Sequence, residues 1–235
     1  MEASTVYYTD FRCPVGTSLT EKLRRLCIAA GIKNIDMEGR FVAIKIHFGE
    51  LGNLAYLRPN YAKVVADLCK EQGGMPFLTD CNTLYPGSRK NALEHLTCAQ
   101  LNGFWPMTTG CQVIIADGLR GTDEVEVPVP NGEYCKTAKI GRAIMDADIF
   151  ISLSHFKGHE STGFGGAIKN IGMGCGSRAG KMEQHASGHP AVQEDLCRGC
   201  HRCAKECGSD AIRYNEKNKA VIDQDKCKGC GRCIG

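Results

Sequence analysis

The sequence predicts an α/β fold with a mostly parallel, doubly wound sheet, to which a small cysteine-rich α+β domain is appended. Over roughly the first 150 residues, apolar runs of strand length alternate with amphipathic helical segments, which is typical of parallel sheets with helical crossovers. Seven of the 15 cysteines then fall between positions 197 and 233. We therefore expect two domains, residues 1–189 and residues 190–235.

The predicted strands and helices are marked by apolar periodicity and by capping residues. Ser18 and Asn60 are good helix caps, and Gly31 and Gly103 are typical helix ends. Valines alternate with polar residues around 125–129, which favours an edge hairpin. In chain order we expect strand 6–8, helix 18–31, strand 41–46, helix 60–74, strand 77–79, helix 89–102, strand 113–116, the hairpin at 125–129, helix 140–146 and strand 149–153.

Three loops are candidates for one ligand cleft. Ligands of parallel α/β sheets bind beyond the carboxyl ends of the strands. Segments 47–58, 80–89 and 154–172 each follow a predicted strand. We expect the three loops to meet at the same edge of the sheet.

The loop from 154 to 174 carries the most chemistry outside the cysteine-rich region. Its glycines, among them Gly163, Gly165 and Gly166, would let backbone amides approach a ligand closely. His155 and His159 are candidate acids, bases or metal ligands. The other candidates in this loop are Lys157, Lys169 and Asn170. The alternative is a glycine-rich structural turn with solvated lysines, and dinucleotide and P-loop motifs match poorly here.

The cysteines near the end of the chain have the spacing of a pair of 4Fe-4S clusters, in which the fourth cysteine of each run ligates the other cluster. One complete ligand set is thus Cys207, Cys227, Cys230 and Cys233, and the other begins with Cys197, Cys200 and Cys203. The missing ligand is expected just beyond Gly235, so we expect the natural protein to continue. Zinc is the alternative, but it normally uses two separated cysteine pairs. Residues 190–235 resemble a ferredoxin-like dicluster iron-sulfur domain.

Composition narrows the class of protein. The chain has 43% hydrophobic and 23% charged residues, and a net charge of +3 gives no reason to expect a nucleic-acid partner. The sequence has neither an apolar run of membrane-spanning length nor a signal peptide, so we expect no membrane association and a cytoplasmic location. So many thiols suit a reducing, anaerobic cytoplasm. Buried, inert thiols are expected for cysteines 13, 27, 69, 81, 98, 111, 135 and 175.

Two resemblances add to this interpretation. The segment His159 to Asn170, the helix from Asn91 with its Asn102-Gly103-Phe104 end, and the following cysteine runs resemble the family named domain of unknown function 362. That resemblance implies an iron-sulfur protein without a settled reaction. Many members continue beyond the ferredoxin with a further α/β segment.

The second resemblance is to nickel-pincer lactate racemases. His159, the Gly163 to Gly166 stretch, Lys169 and His185 have the spacing of that family, and Arg58-Pro59 resembles its substrate-binding Arg-Pro. The resemblance implies that Lys169 tethers an organic cofactor, that His185 ligates nickel and that His159 is an acid or base. Only His95 is a candidate for the other catalytic histidine of that family.

These observations favour an iron-sulfur oxidoreductase or electron-transfer protein. Its clusters would exchange electrons with a redox partner protein and with a small molecule or cofactor in the α/β cleft. Basic residues among the cysteines would stabilise reduced clusters or dock an acidic partner. The alternatives are a racemase or isomerase with structural clusters and a pure electron-carrier adaptor.

Overall fold

The computed structural model describes residues 3–85, 87–159, 162–186, 190–227, 229 and 231–234. In chain order the elements are α1 (Leu19–Ala29), β1 (Phe41–Ile46), α2 (Pro59–Lys70), β2 (Met75–Asp80), α3 (Ala92–Leu101), α4 (Pro106–Thr109), β3 (Gln112–Ile115), β4 (Glu124–Pro128), β5 (Thr137–Gly141), α5 (Arg142–Met145), β6 (Ile149–Leu153), β7 (Lys157–His159), β8 (Gly163–Gly165), α6 (Ala167–Gly172), α7 (Arg178–Ala186), α8 (Arg202–Glu206), β9 (Ile212–Tyr214) and β10 (Ala220–Ile222). Short 3-10 turns cover Ile32–Asn34, Glu194–Leu196 and Arg232–Ile234.

The central sheet has four strands in the order β3-β2-β1-β6, and every neighbouring pair is parallel. The predicted α/β class with a parallel sheet is therefore confirmed. Strand β1 lies inside the sheet and is buried from Val42 to Ile46. Because successive side chains of a strand point to opposite faces, both faces of β1 are covered.

The two faces of β1 have different neighbours. Val42, Ile44 and Ile46 belong to the main hydrophobic core, together with residues of α2 such as Val65. The opposite face carries Lys45, which contacts Asn170 of α6. One face of the sheet therefore holds the apolar core, and the other supports the polar groups described below.

Some helix boundaries follow the predicted capping residues. The predicted cap Ser18 accepts a hydrogen bond from the backbone N–H of Glu21. Asn91, which was not predicted as a cap, accepts one from the backbone N–H of Glu94. Gly31 and Gly103 have φ values of 91° and 86° at the ends of α1 and α3. Only glycine adopts such values without strain, so these helices stop where the sequence predicts.

Three predictions about the first half of the chain are wrong. Residues 6–8 form no strand, and Val6 and Tyr8 are more than four-fifths exposed, because the structure offers them no described strand to pair with. Helix α2 starts at Pro59 rather than after Asn60, since proline is favoured at the first helical position. Helix α3 starts at Ala92, and Arg89 belongs to the preceding loop.

Three further predictions need correction in the second half. The predicted helix 140–146 shortens to α5, because Ile140 pairs with Val125 in the β4-β5 hairpin. That hairpin forms a separate two-stranded sheet rather than an edge of the central sheet. The 154–172 loop contains the β7-β8 hairpin and α6.

The cysteine-rich region contains α8 and the antiparallel β9-β10 hairpin. Its two cysteine runs share an unusual backbone pattern. Gly199 and His201 have φ values of 64° and 61°, and the corresponding Gly229 and Gly231 have values of 65° and 66°. The two runs therefore turn in the same way. The ferredoxin-like assignment itself remains a prediction, and residues 187–189, just before the predicted domain boundary, lie outside the described residues.

Across the described part of the chain, none of the helices combines the length and apolarity required to cross a membrane.

Candidate functional site

A cavity of about 760 Å³ lies at the carboxyl ends of β1, β2 and β6. Residues from all three predicted loops line it, including Glu50, Tyr85 and His155. The prediction that segments 47–58, 80–89 and 154–172 share one cleft is thus confirmed. The cavity has the volume of sites that enclose small organic ligands.

Buried charges form one wall of the cavity. Lys45, Asp80 and Arg89 are each no more than 3% exposed. The Asp80 carboxylate lies 3.1 Å from Lys45 Nζ and 3.3 Å from Arg89 Nη1. Burial, the largest single influence, raises the pKa of Asp80, but the nearby cations, Lys45 ahead of Arg89, together outweigh it and hold that pKa well below its ordinary value. Asp80 is therefore a fixed negative charge between two cations.

Arg89 extends this network toward the opening of the cavity. Its Nη2 donates to the hydroxyl of Tyr85 at 2.6 Å, contacts Nε2 of His47 at 3.1 Å, and also donates to Glu50. The Tyr85 hydroxyl in turn donates to Glu50 at 2.7 Å. Burial, followed by the charge of Arg89, lowers the pKa of His47 to about 4, so this imidazole is neutral at pH 7. The result is a rigid polar wall.

The glycine-rich segment forms the opposite wall. Lys169 Nζ lies 2.5 Å from His159 Nε2, and the backbone N–H of Thr162 donates to Nδ1 of the same ring. Asn170 accepts a hydrogen bond from Lys45 at 2.7 Å and donates to Ser152 and Ser154. Asn170 therefore ties α6 to the central sheet and helps to position Lys45.

Most predicted site residues meet in this cavity. The predicted residues that line it are His155, His159, Gly165, Gly166, Lys169, Asn170 and His185. Arg58 and Gly163 are exposed and do not line it, since Arg58 caps α2 and Gly163 turns the β7-β8 hairpin. His95 is fully buried behind Asp80, at 3.8 Å, and is not part of the lining.

Sequence reasoning missed the buried part of the site. Lys45, Asp80 and Arg89 come from two strands and a loop, and their pairing depends on the parallel β1-β2 contact. The sequence feature that could have revealed these buried charges is Lys45, the only charged residue in the apolar run Phe41–Ile46. A lysine at a fully buried strand position indicates a paired or functional charge.

Lys181 is a third cation of the cavity, after Lys45 and Arg89, that sequence reasoning did not select. It lies on α7, lines the cavity and is 7% exposed. Its ammonium donates to the carbonyl oxygen of Gly176. Within the described ranges, no carboxylate oxygen comes within 4.0 Å of it. The buried carboxylate of Asp117 interacts with this ammonium electrostatically from beyond that distance. Since a buried ammonium with no carboxylate in contact is costly, this position favours an anion in the cavity.

The cysteine-rich region has features suited to thiolate ligands. Cys197, Cys207 and Cys227 accept backbone N–H bonds from Ala220, Ala211 and Gly229, at 3.3 to 3.4 Å. The N–H groups of Ala220 and Gly199 lower the pKa of Cys197. Such N–H···S bonds stabilise thiolates and tune cluster potentials. The chemistry of the donors therefore fits an iron-sulfur cluster.

The complete predicted ligand set extends beyond what the structure describes, because Cys230 lies outside the described residues. Among the residues that are described, no three His, Cys, Asp or Glu side chains are grouped to hold a single metal ion. A four-iron cluster places its own atoms between its ligands, so its cysteines need not lie so close together. Cys200 and Cys203 are free thiols here, and the Cys203 sulfur lies 3.3 Å from the Tyr214 hydroxyl.

The remaining cysteines mostly match the expectation of inert thiols. Those that are buried are Cys69, Cys81, Cys98, Cys111 and Cys175. Burial raises the pKa of Cys69 and Cys175 to about 11, which disfavours the reactive thiolate. Cys13 is exposed and Cys27 and Cys135 are half-buried, so the expectation of burial is wrong for Cys13.

The second cysteine run packs against the wall of the cavity. A methyl group placed on Gly231 would lie 2.5 Å from Cε of Met182 and 3.1 Å from Cδ2 of Leu84. Leu84 lines the cavity, and Met182 is the neighbour of Lys181 on α7. The backbone between Cys230 and Cys233 therefore lies directly behind residues that face the ligand space.

Comparison with known proteins identifies the family. The chain belongs to the family described as Domain of unknown function (DUF362), whose model matches residues 42–226. A thylakoid-associated protein from Synechocystis is 27% identical over 127 residues, which are 53% of this chain and 34% of that protein. The lactate racemase apoprotein from Thermoanaerobacterium thermosaccharolyticum has a TM-score of 0.43 and 14% identity, and the match covers 94% of this chain and 44% of the racemase. The chain thus spans about a third of the curated relative's length.

Proposed function

We propose that this protein transfers electrons between 4Fe-4S clusters held by the cysteines of residues 190–235 and a small organic anion bound in the α/β cavity. The observation that best supports this proposal is the packing of Gly231 against Leu84 and Met182. Electron transfer weakens steeply with distance, so a cluster at this run would be well placed to exchange electrons with the cavity. When bound, the clusters would supply single electrons.

The lining of the cavity supports an anionic ligand. Among the described lining residues, five lysine or arginine side chains face only two carboxylates, Glu50 and Asp80. Asp80 and Glu50 already pair with Lys45 and Arg89. The remaining cations are Lys157, Lys169 and Lys181. A carboxylate or phosphate on the ligand would provide a contacting partner for the buried Lys181, whose interaction with Asp117 acts over more than 4.0 Å.

Protons would come from the glycine-rich wall. Reduction of a carbonyl or an activated double bond consumes two electrons and two protons. His159 and Lys169 contact each other at the cavity surface and both carry exchangeable protons. We assign them the transfer of protons to the ligand, while Lys45 and Arg89 orient it.

The proposal is tested by electron transfer to defined anions. Anaerobically purified protein is reduced with dithionite, desalted and mixed with pyruvate, fumarate or acetyl phosphate, and re-oxidation is followed by the visible absorbance of the clusters. We expect at least one anion to re-oxidise wild type, and Lys181→Met to be at least about tenfold slower. Lys63→Met, on the exposed face of α2, is the matched control. Equal rates in the two variants, or no anion that re-oxidises the protein, would contradict the proposal.

A second candidate function is proton transfer without redox chemistry, as in a racemase or isomerase. The His159–Lys169 contact at the cavity favours it. Lys169 and His185, which would hold a nickel-bearing cofactor by the racemase resemblance, both line the same space. Lys169→Met separates the two candidates by what is lost: a relay would lose re-oxidation of its clusters by the anion, whereas an isomerase would lose a turnover that needs no change in the oxidation state of its clusters. Nickel that is lost from Lys169→Met and His185→Gln would favour the isomerase.

A further inference from the structure

Tyr214 connects the β9-β10 hairpin to the first cysteine run, residues 197–207. Its hydroxyl oxygen lies 3.3 Å from the sulfur of Cys203, the distance of an O–H···S hydrogen bond. The sulfurs of Cys197, Cys207 and Cys227 are contacted by backbone N–H groups. The Cys203 sulfur therefore has a hydrogen-bond partner of a different kind, a side-chain hydroxyl.

The direction of this hydrogen bond follows from the chemistry of a metal ligand. Between a phenol and a free thiol, either group can donate. A cysteine that ligates iron does so as the thiolate, which has no proton and can only accept. Tyr214 is then the donor and Cys203 the acceptor. A hydrogen bond to a charged acceptor is roughly twice as strong as one between neutral groups.

The register of the hairpin directs two donors to the same cysteine run. Tyr214 on β9 pairs directly with Ala220 on β10. The backbone N–H of Ala220 donates to the sulfur of Cys197, and the side chain of Tyr214 reaches Cys203. Because Cys197 and Cys203 belong to the same predicted ligand set, both hydrogen bonds would act on one cluster.

Further contacts hold the hairpin against this run. Asn218, in the turn of the hairpin, accepts a hydrogen bond from Nε2 of His201 at 2.8 Å. Lys219 Nζ donates to the carbonyl oxygen of Cys197 at 2.6 Å. The His201 ring stacks on that of Tyr214, with centroids 3.8 Å apart and 21° between the ring planes. The phenol is therefore already positioned, and its hydrogen bond costs little conformational entropy.

The backbone of His201 indicates that this stack has a function. His201 has a φ of 61°, a left-handed conformation that glycine adopts most easily. The corresponding residue of the second cysteine run is Gly231, with a φ of 66°. A histidine at such a position accepts backbone strain, and strained residues cluster at functional sites. Here the imidazole supplies the face on which the Tyr214 ring lies.

We propose that Tyr214 raises the reduction potential of the 4Fe-4S cluster that Cys203 ligates. This inference rests on the proposed function, because it requires the clusters. Hydrogen bonds to the ligand sulfurs are among the features that set cluster potentials. The Tyr214 hydroxyl stabilises the negative charge that one-electron reduction adds, and no proton is transferred. Electrons from a redox partner would therefore occupy this cluster more readily than they would without the hydroxyl.

A redox titration of Tyr214→Phe tests this role. The substitution keeps the ring that stacks on His201 and removes only the hydroxyl. Anaerobically purified, cluster-loaded protein is titrated with dithionite against a viologen dye, and reduced clusters are followed by electron paramagnetic resonance. We expect the equilibrium constant for reducing one cluster to fall about tenfold, as for the loss of one hydrogen bond to a charged group. For one electron this is a downward shift of about 59 mV.

Tyr134→Phe is the matched control, because Tyr134 lies in the α/β domain and is 83% exposed. It should leave every reduction step at its wild-type potential. An unchanged or raised potential in Tyr214→Phe, or the same shift in both variants, would overturn the inference. Loss of iron from Tyr214→Phe would overturn it too, since the hydroxyl would then hold the cluster rather than tune it.

The titration also separates this inference from the proposed function. It contains no ligand for the α/β cavity, so its result does not depend on whether an anion re-oxidises the clusters. Wild-type protein that binds no iron and sulfide would contradict both proposals together. Loaded protein in which Tyr214→Phe keeps the wild-type potential would contradict this inference alone.

Discussion

The α/β domain and the cysteine-rich region are stabilised in different ways. The α/β domain buries two hydrophobic clusters, the larger one around β1 and α2. Among the described residues from 190 onward, the buried hydrophobic side chains are those of Ala211 and Ala220. Two alanines bury little apolar surface, so this region needs another source of folding free energy. Metal binding is the usual source in domains of this size.

The polar groups of the two regions differ in the same way. In the α/β domain, Lys45, Asp80 and Arg89 pair with one another. In the cysteine-rich region, the sulfurs of Cys197 and Cys227 instead receive backbone N–H bonds, which suit thiolate ligands of a metal. The first site is organised by ion pairs within the protein, and we propose that the second is completed by an iron-sulfur cluster. The following predictions test this contrast.

Iron removal should produce the largest effect. Chelation, or Cys227→Ala, should abolish protection from hydrogen exchange across β9 and β10 while leaving β1 and α2 protected, because in our proposal only the cysteine-rich region depends on the metal. Cys13→Ala, at an exposed cysteine of the α/β domain, is the control. Protection of β9 and β10 that survives in the metal-free protein would contradict the contrast.

Disruption of the buried charge network should have the next largest effect, on the free energy of unfolding. Asp80→Asn leaves Lys45 and Arg89 buried without their shared carboxylate, and we expect a loss of about 3 to 5 kcal/mol in the free energy of unfolding. Asp67→Asn breaks the exposed pair with Lys63 and should cost less than about 1 kcal/mol. Urea denaturation of the α/β domain measures both values. Equal losses would show that the buried network does not stabilise the fold.

The buried histidines should make the α/β domain sensitive to acid. Burial lowers the pKa of His47 to about 4 and that of His95 to about 3, whereas the unfolded chain titrates near 6.5. Below pH 6.5 the unfolded state therefore binds protons that the folded state excludes, and stability falls as the pH drops toward 4. For His47 the loss is roughly 3 kcal/mol. Asp117 acts in the opposite sense, because burial raises its pKa to about 6.

His95→Leu isolates one of these contributions. Neither ring nitrogen of His95 has a hydrogen-bond partner in the described part of the chain, so leucine should be tolerated at pH 7. The decline in melting temperature between pH 6.5 and 4 should be shallower than in wild type. A decline as steep as that of wild type would mean that His95 is not held neutral.

The smallest effect should come from the contact between the two regions. Gly231→Ala adds a methyl group against Met182 and Leu84 at a φ of 66°. Gly39→Ala has the same φ of 66° with open space around it, so it shows the backbone strain alone, about 1 to 2 kcal/mol. We expect Gly231→Ala to be the more destabilising by melting temperature. The reverse order would place the second cysteine run away from the cavity wall.

Local signals in the sequence predicted much of the fold. Strands Phe41–Ile46 and Ile149–Leu153 match the prediction because a short apolar run bounded by polar loops specifies a buried parallel strand. Ser18 caps its helix because a hydroxyl can bond the free N–H groups there. Ile140 was misassigned to a helix because its strand partner, Val125, lies 15 residues earlier in the chain.

The candidate site was predicted only in part, for a similar reason. The rule that ligands bind beyond the carboxyl ends of parallel strands correctly predicted that the three loops line one cavity. It did not identify Asp80 or Arg89, whose significance depends on contact with Lys45 on the neighbouring strand. Arg58 was selected from a short motif, but the structure uses it to begin α2.

Iron and acid-labile sulfide analysis, combined with a dithionite titration, tests the central claim most directly. On protein isolated without oxygen, we predict at least about four irons and four sulfides per chain and a visible absorption that dithionite bleaches. Cys227→Ala should lose iron, and Cys13→Ala should keep it. Zinc bound in place of iron, or iron without sulfide, would contradict the assignment of this protein as an electron-transfer protein.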